Sequence, residues 1–213
     1  MEKIDKLYEK INGSYFAFLG AGISLISILI AFILYIAVDP TYTILTNYIS
    51  DLGDGGGGSN IVFNIGRICS GIIMFFFFMY LTRLLQNSGI NNKLVIISFI
   101  SGLMYSIGVI LVGIFPSKAA PLMHVIAAAI MFFAMFFIYI FFGISEFRIS
   151  GFSRKPPIAG LIFSPLPLLF LLFLVLLHTV GIDRRITLFT ERLTYFAMMS
   201  WIITQGIYTM RRK

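Results

Sequence analysis

Runs such as Met74-Phe75-Phe76-Phe77-Phe78-Met79 are apolar on every side, so an element built from them has no polar face to turn to water. Six stretches of this character reach roughly 20 residues, the length at which an α-helix crosses about 30 Å of hydrocarbon. Their approximate bounds are 15–38, 61–84, 94–115, 122–144, 158–180 and 188–210. A transmembrane barrel would need shorter segments of alternating polarity, so helices are the better reading. Composition agrees: 59% of the 213 residues are hydrophobic and 12% are charged, against roughly 45–50% and about 25% in soluble domains. The expected fold class is an all-α integral membrane protein, one six-transmembrane-helix bundle spanning residues 1–213, and a soluble enzyme is excluded.

The connections 39–60, 85–93, 116–121, 145–157 and 181–187 gather Gly, Pro and polar residues and are each too short to be a domain. The first apolar run is longer than the 7–15 residue core of a signal peptide and has no small-x-small site after it, so it is expected to remain as a span. Residues 1–14 alternate acid and base around Ile4 and Leu7, which predicts a short helix lying against the membrane surface. No internal repeat is visible. Gly66 and Ser70 form a small-x-x-x-small pair, and Gly102, Gly108 and Gly113 thin the third helix, so close helix approach is expected there. Ser164-Pro165-Leu166-Pro167 should kink the fifth helix, a packing kink being preferred to a transporter-style break.

Lys and Arg are distributed as topology determinants. Lys3, Lys6, Lys10, Arg83, Lys93, Arg148, Arg154, Lys155, Arg211, Arg212 and Lys213 belong to the termini and the second and fourth connections. The other connections hold only Lys118, Arg184 and Arg185, and the first has Asp39, Asp51 and Asp54 with no base. The positive-inside rule then places both termini in the cytoplasm of a multi-pass cell-membrane protein, with connections one, three and five outside. The net charge of +7 is dispersed over segment ends without forming a stripe, so nucleic acid is not an expected partner. Cys69 lies inside an apolar run and reads as a packing residue.

On this topology Asp51, Asn60, Asn64, Arg67, His124, His178, Asp183, Glu191 and Arg192 fall into one layer near the outer face. Arg67 would lie about 10 Å below the start of its helix, too deep to face lipid. It should turn into the bundle, with Asp51, Asp54 and Glu191 as available counter-charges, and either a functional role or a locking ion pair accounts for it. His124 follows Pro121 in the first turn of the fourth helix; it reads as a hydrogen-bonded structural group or as a proton-transfer group. Glu191 opens the last helix, where the dipole favours a carboxylate. His124, His178, Asp51 and Glu191 are the plausible metal ligands, but no HExxH or CxxC spacing arranges them, and no GxSxG, Walker or dinucleotide motif is present. No metal and no cofactor is expected. The Gly55–Gly58 run resembles a synthetic linker but is read as a natural flexible turn, with Ser59 or Asn60 as N-cap of the second helix.

Several motifs occur in a fixed order: Tyr48-Ile49-Ser50-Asp51-Leu52-Gly53; Ser59-Asn60-Ile61-Val62-Phe63-Asn64-Ile65-Gly66 with Gly71; Gly108 through Val112-Gly113-Ile114-Phe115-Pro116; and His124 with Ala127 and Ala128. In these the chain resembles the prokaryotic and archaeal family of domain of unknown function 998, and more distantly the Frag/DRAM/Sfk superfamily of six-span proteins. The resemblance covers most of the chain, Arg67 being a departure from the pattern. It implies Ser50, Asp51, Asn64, Pro116 and His124 as motif positions, and lipid as the theme of the eukaryotic relatives.

The expected function is lipid handling, meaning binding or remodelling of a lipid headgroup in a polar pocket of the outer leaflet. His124 and Asp51 are the candidate catalytic pair, His124 as base oriented by Asp51; Arg67, Glu191, Asn64 and Ser50 are candidate substrate-binding residues. The expected partners are membrane lipids. The alternative is a non-catalytic accessory subunit whose aromatic-rich surfaces bury against other membrane protein subunits; a channel or carrier would need more ionisable residues near the midplane than Arg67.

Overall fold

The computed structural model describes Tyr8 and residues 10–211. These residues form seven α-helices and one 3-10 helix: α1 (Ser14–Val38), the 3-10 helix (Ile49–Asp54), α2 (Ser59–Asn87), α3 (Asn92–Ile114), α4 (Pro121–Phe147), α5 (Lys155–Phe163), α6 (Pro165–Thr179) and α7 (Arg184–Met210). Five stretches are long and apolar enough to cross a membrane: α1, α2, α3, α4 and the α5–α6 pair over Lys155–Thr179. The chain is therefore a membrane protein with multiple spans. The sixth apolar run expected from sequence corresponds to α7, which is not among the five. Arg184, Arg185, Glu191 and Arg192 crowd its first turns, and Thr194, Gln205 and Thr209 dilute the remainder while facing the interior, each at most 1% exposed.

Consecutive helices pack as neighbours from α1 to α4, α5 and α6 follow against α4, and α7 returns to lie against α1. Hydrogen bonds from Ser14 to Thr209 (2.8 Å) and from Ser24 to Tyr195 (2.7 Å) show α1 and α7 running antiparallel over their shared length. The interior is filled by Met74, Phe77, Phe78, Tyr105, Met135, Phe142 and Trp201. Small residues set the helix spacing as expected. A Cβ on Gly66 would lie 2.2 Å from the Ser27 side chain, Ser70 donates to the Gly20 carbonyl at 2.9 Å, and a Cβ on Gly108 would meet the Met131 backbone at 2.7 Å.

The proline pair divides the fifth span into two helices. α5 and α6 are separated at Ser164, whose φ of −56° and ψ of −34° remain helical, so the direction of the span continues past missing amide donors. Two local expectations need correction. The glycine run is not a loose turn: Gly55 is buried, a Cβ there would sit 2.6 Å from the Tyr35 ring, and Gly57, at φ +62°, would meet the Leu34 carbonyl at 2.9 Å. Only glycine lets this segment lie down on the end of α1. The N-cap of α2 is Gly58 in the left-handed region, not Ser59 or Asn60, because the buried Ser59 hydroxyl donates to the Leu52 carbonyl at 2.9 Å. Most of the surface helix expected over 1–14 lies outside the described residues; within it, Tyr8 donates to the Phe76 carbonyl at 2.7 Å.

Candidate functional site

A pocket of about 370 Å³ opens at the end of the bundle remote from Ser14 and Thr209. Its lid is the 3-10 helix, its floor includes Arg67 of α2, and its walls come from α4, α6 and α7. Of the six site residues named from sequence, Ser50, Asp51, Arg67, His124 and Glu191 line it, as does His178. Asn64 does not. It lies behind the lid, donating from Nδ2 to the Gly53 carbonyl at 3.1 Å, and its Oδ1 is buried without a partner.

The lid is clamped on several sides, by side chains of the motif and by others outside it. Asp51 closes a capping box, its Oδ2 accepting from the Tyr48 amide at 2.8 Å. Glu191 accepts from the Ile49 amide at 2.9 Å, Tyr48 shares a hydrogen bond with Thr187 at 2.8 Å, and Tyr42 donates to the Tyr48 carbonyl at 3.0 Å. Burial, with the carboxylates of Asp51 and Glu191 adding to it, holds the Tyr42 phenol well above its usual range, so it remains a donor. From the far side Asp54 accepts from the Ser117 hydroxyl at 2.6 Å and the Lys118 amide at 3.1 Å. Arg192 extends the clamp to the Asn47 carbonyl.

Three expected interactions differ in the structure. Glu191 does not open its helix: α7 begins at Arg184, capped by the Asp183 side chain accepting from Arg185 at 2.8 Å, so the carboxylate is two turns inward and serves the lid instead of the dipole. His124 is oriented by the chain end of α3, Nδ1 lying 2.8 Å from the Phe115 carbonyl, while Asp51 is engaged with Tyr48 and lies 3.9 Å from Arg184. A backbone carbonyl only accepts, so Nδ1 carries the proton and Nε2 is the nitrogen left for chemistry in the pocket. Arg67 meets none of its expected counter-charges. Its Nη1 donates to Ser24 Oγ at 3.0 Å and its Nη2 to Met131 Sδ at 3.2 Å, and its guanidinium carbon stands 5.8 Å from the Tyr195 ring centre.

The apolar wall was not legible beforehand. Phe132 of α4 and Phe170 of α6 pack with ring centres 4.5 Å apart, and Leu174 and Leu177 continue that face toward His178. Phe170, Leu174 and Leu177 share a helical face, but the run around them is apolar throughout, so periodicity cannot select it. Tyr48 and Tyr195 were also missed as pocket residues, though Tyr48 is the first residue of the named motif. Among the described residues no group of three or more His, Cys, Asp or Glu is arranged to hold a metal ion.

The family model described as Protein of unknown function (DUF998) matches residues 18–208, which takes in every helix named above except the outermost residues of α1 and α7. The chain belongs to this family. No curated protein and no solved structure matches it. The motifs that carried the resemblance have a common structural meaning in this member of the family: Ser50 and Asp51 belong to the lid, Asn64 and Ser59 hold it from below, and the segment from Gly113 to His124 builds the pocket rim.

Proposed function

We propose that this protein binds a membrane lipid by its headgroup in the pocket beneath the 3-10 helix. The observation that supports a lipid is the character of the wall. Val125, Ala128 and Phe132 of α4 line the pocket together with Phe170, Leu174 and Leu177 of α6, and Val125 is 55% exposed. An acyl chain leaving between α4 and α6 exchanges bilayer contacts for protein contacts without crossing water. The headgroup then lies among Ser50, Arg67, His124 and Glu191, with His124 Nε2 as the proton-accepting or proton-donating nitrogen and Asp51 as the residue that keeps the lid closed.

The setting of this reading is a six-span protein of the cell membrane with both termini cytoplasmic and the pocket at the outer leaflet. The excess of Lys and Arg at the opposite end favours that orientation. The antiparallel pairing of α7 with α1 favours a sixth crossing, since a helix bonded to a span at both Tyr195 and Thr209 shares its depth.

Native mass spectrometry of the protein gently extracted from its own membrane tests this. The expected result is an isolated chain carrying lipid mass, lost when Ala128→Trp fills the pocket. A chain that carries no lipid, or one found only with a stoichiometric protein partner, overturns the reading, the latter in favour of an accessory subunit.

A further inference from the structure

Arg67 is a buried and weakly compensated charge. It is 3% exposed, its Nε has no hydrogen-bond partner, one Nη relies on a thioether, and among the described residues it has no ion-pair partner. A thioether is a weak acceptor, and a guanidinium does not shed its proton to escape burial. Ser24 and the Tyr195 ring together offer it less than the oxygen shell that a buried cation requires. Glu191, a carboxylate lining the same pocket, is already committed to the Ile49 amide. The side chain borders the pocket, so a ligand seated there can offer it stronger acceptors than the Met131 thioether.

We infer that Arg67 is the phosphate receptor of the pocket. The inference rests on the lipid reading above and specifies its ligand: a glycerophospholipid enters headgroup first between α4 and α6, and its non-bridging phosphate oxygens accept from the Arg67 guanidinium where it borders the pocket. The planar guanidinium fork matches two oxygens on one phosphorus, a pairing that an ammonium cannot copy. The His124 imidazole, pinned at Nδ1 by the Phe115 carbonyl, brings Nε2 to the same pocket as a second group for the phosphate or its glycerol ester. The volume of about 370 Å³ accommodates a glycerol phosphate with the start of its chains, where a bare carboxylate would leave most of the pocket unfilled.

The test uses the purified full chain in detergent, with dioleoyl phosphatidylglycerol and dioleoylglycerol as probes that differ in the phosphate. The wild-type protein is expected to bind the phospholipid tighter by about tenfold or more, as a charge-assisted hydrogen bond implies. Arg67→Gln is expected to abolish that preference, the affinity for the phospholipid falling to that for dioleoylglycerol, with Arg67→Lys intermediate. Equal binding of the two lipids by the wild-type protein overturns the inference without recourse to any variant, as does an unchanged preference in Arg67→Gln. Displacement of the phospholipid by millimolar inorganic phosphate alone would assign the site to a free anion and overturn its lipid form. Binding of neither lipid overturns the underlying lipid reading itself.

Discussion

Arg67 stands about 12 Å along α2 from Ser59, at 1.5 Å per residue, with one good acceptor, one weak one and a ring face around it. A side chain so placed opposes folding, because desolvation of the cation exceeds what Ser24 and Tyr195 return. Arg67→Met retains the linear shape and removes the charge, and is expected to stabilise the lipid-free protein by about 1–2 kcal/mol. Thermal unfolding in detergent without added lipid measures this; a fall in melting temperature would mean that the existing contacts already balance the charge. The residue was legible in the sequence because a base seven residues into an apolar run has no cheap explanation. The carbonyl of Phe115 was not, since nothing in a side-chain alphabet announces which backbone oxygen a helix end leaves free. Glu146 was missed for a related reason. It falls in what sequence reads as the connection 145–157, yet α4 continues to Phe147 and buries it against Gln205, 2.7 Å away, at the other end of the bundle.

The 3-10 helix anchors Leu52 in the core and is otherwise held by polar clamps, among them the Ile49 amide donating to the buried Glu191 carboxyl at 2.9 Å. Glu191→Ala leaves the Ile49 amide without its partner, and a hydrogen bond to a charged group is worth about 1.5–3 kcal/mol. Hydrogen exchange across the segment Ile49–Asp54 should therefore accelerate while α2 and α3 remain protected; uniform exchange throughout the chain would show that the clamp holds the whole bundle instead of the lid. At this scale the helices were readable from run length, and their ends were not. The start of α7 was placed at 188 because Arg184 and Arg185 interrupt the apolar run, whereas the Asp183 cap and the aqueous end of the bundle tolerate both. The lid itself could be named as a motif but not as a helix, because six residues rich in Asp and Gly carry no periodicity.

The arrangement of the whole molecule turns on α7. By composition it fails as a span, yet it is bonded to α1 at Ser24 and Ser14, and to α4 through Glu146 and Gln205, so its polar residues face partners instead of lipid. Mean hydropathy counts those residues as exposed, so five stretches pass, against the six crossings proposed above. Single cysteines placed in a Cys69→Ser background decide between the two. Leu45→Cys and Lys118→Cys, both at exposed positions on the pocket end, are expected to react with a membrane-impermeant maleimide on intact cells. Asn87→Cys, Ser150→Cys and Arg211→Cys are exposed at the opposite end and are expected to react only after permeabilisation. Labelling of Arg211→Cys from outside, with Asn87→Cys and Ser150→Cys still protected, would mean that α7 does not cross. The pocket would then be walled on one side by a helix lying outside the hydrocarbon, where Arg67 could reach water past Tyr195 and would need no phosphate to satisfy it.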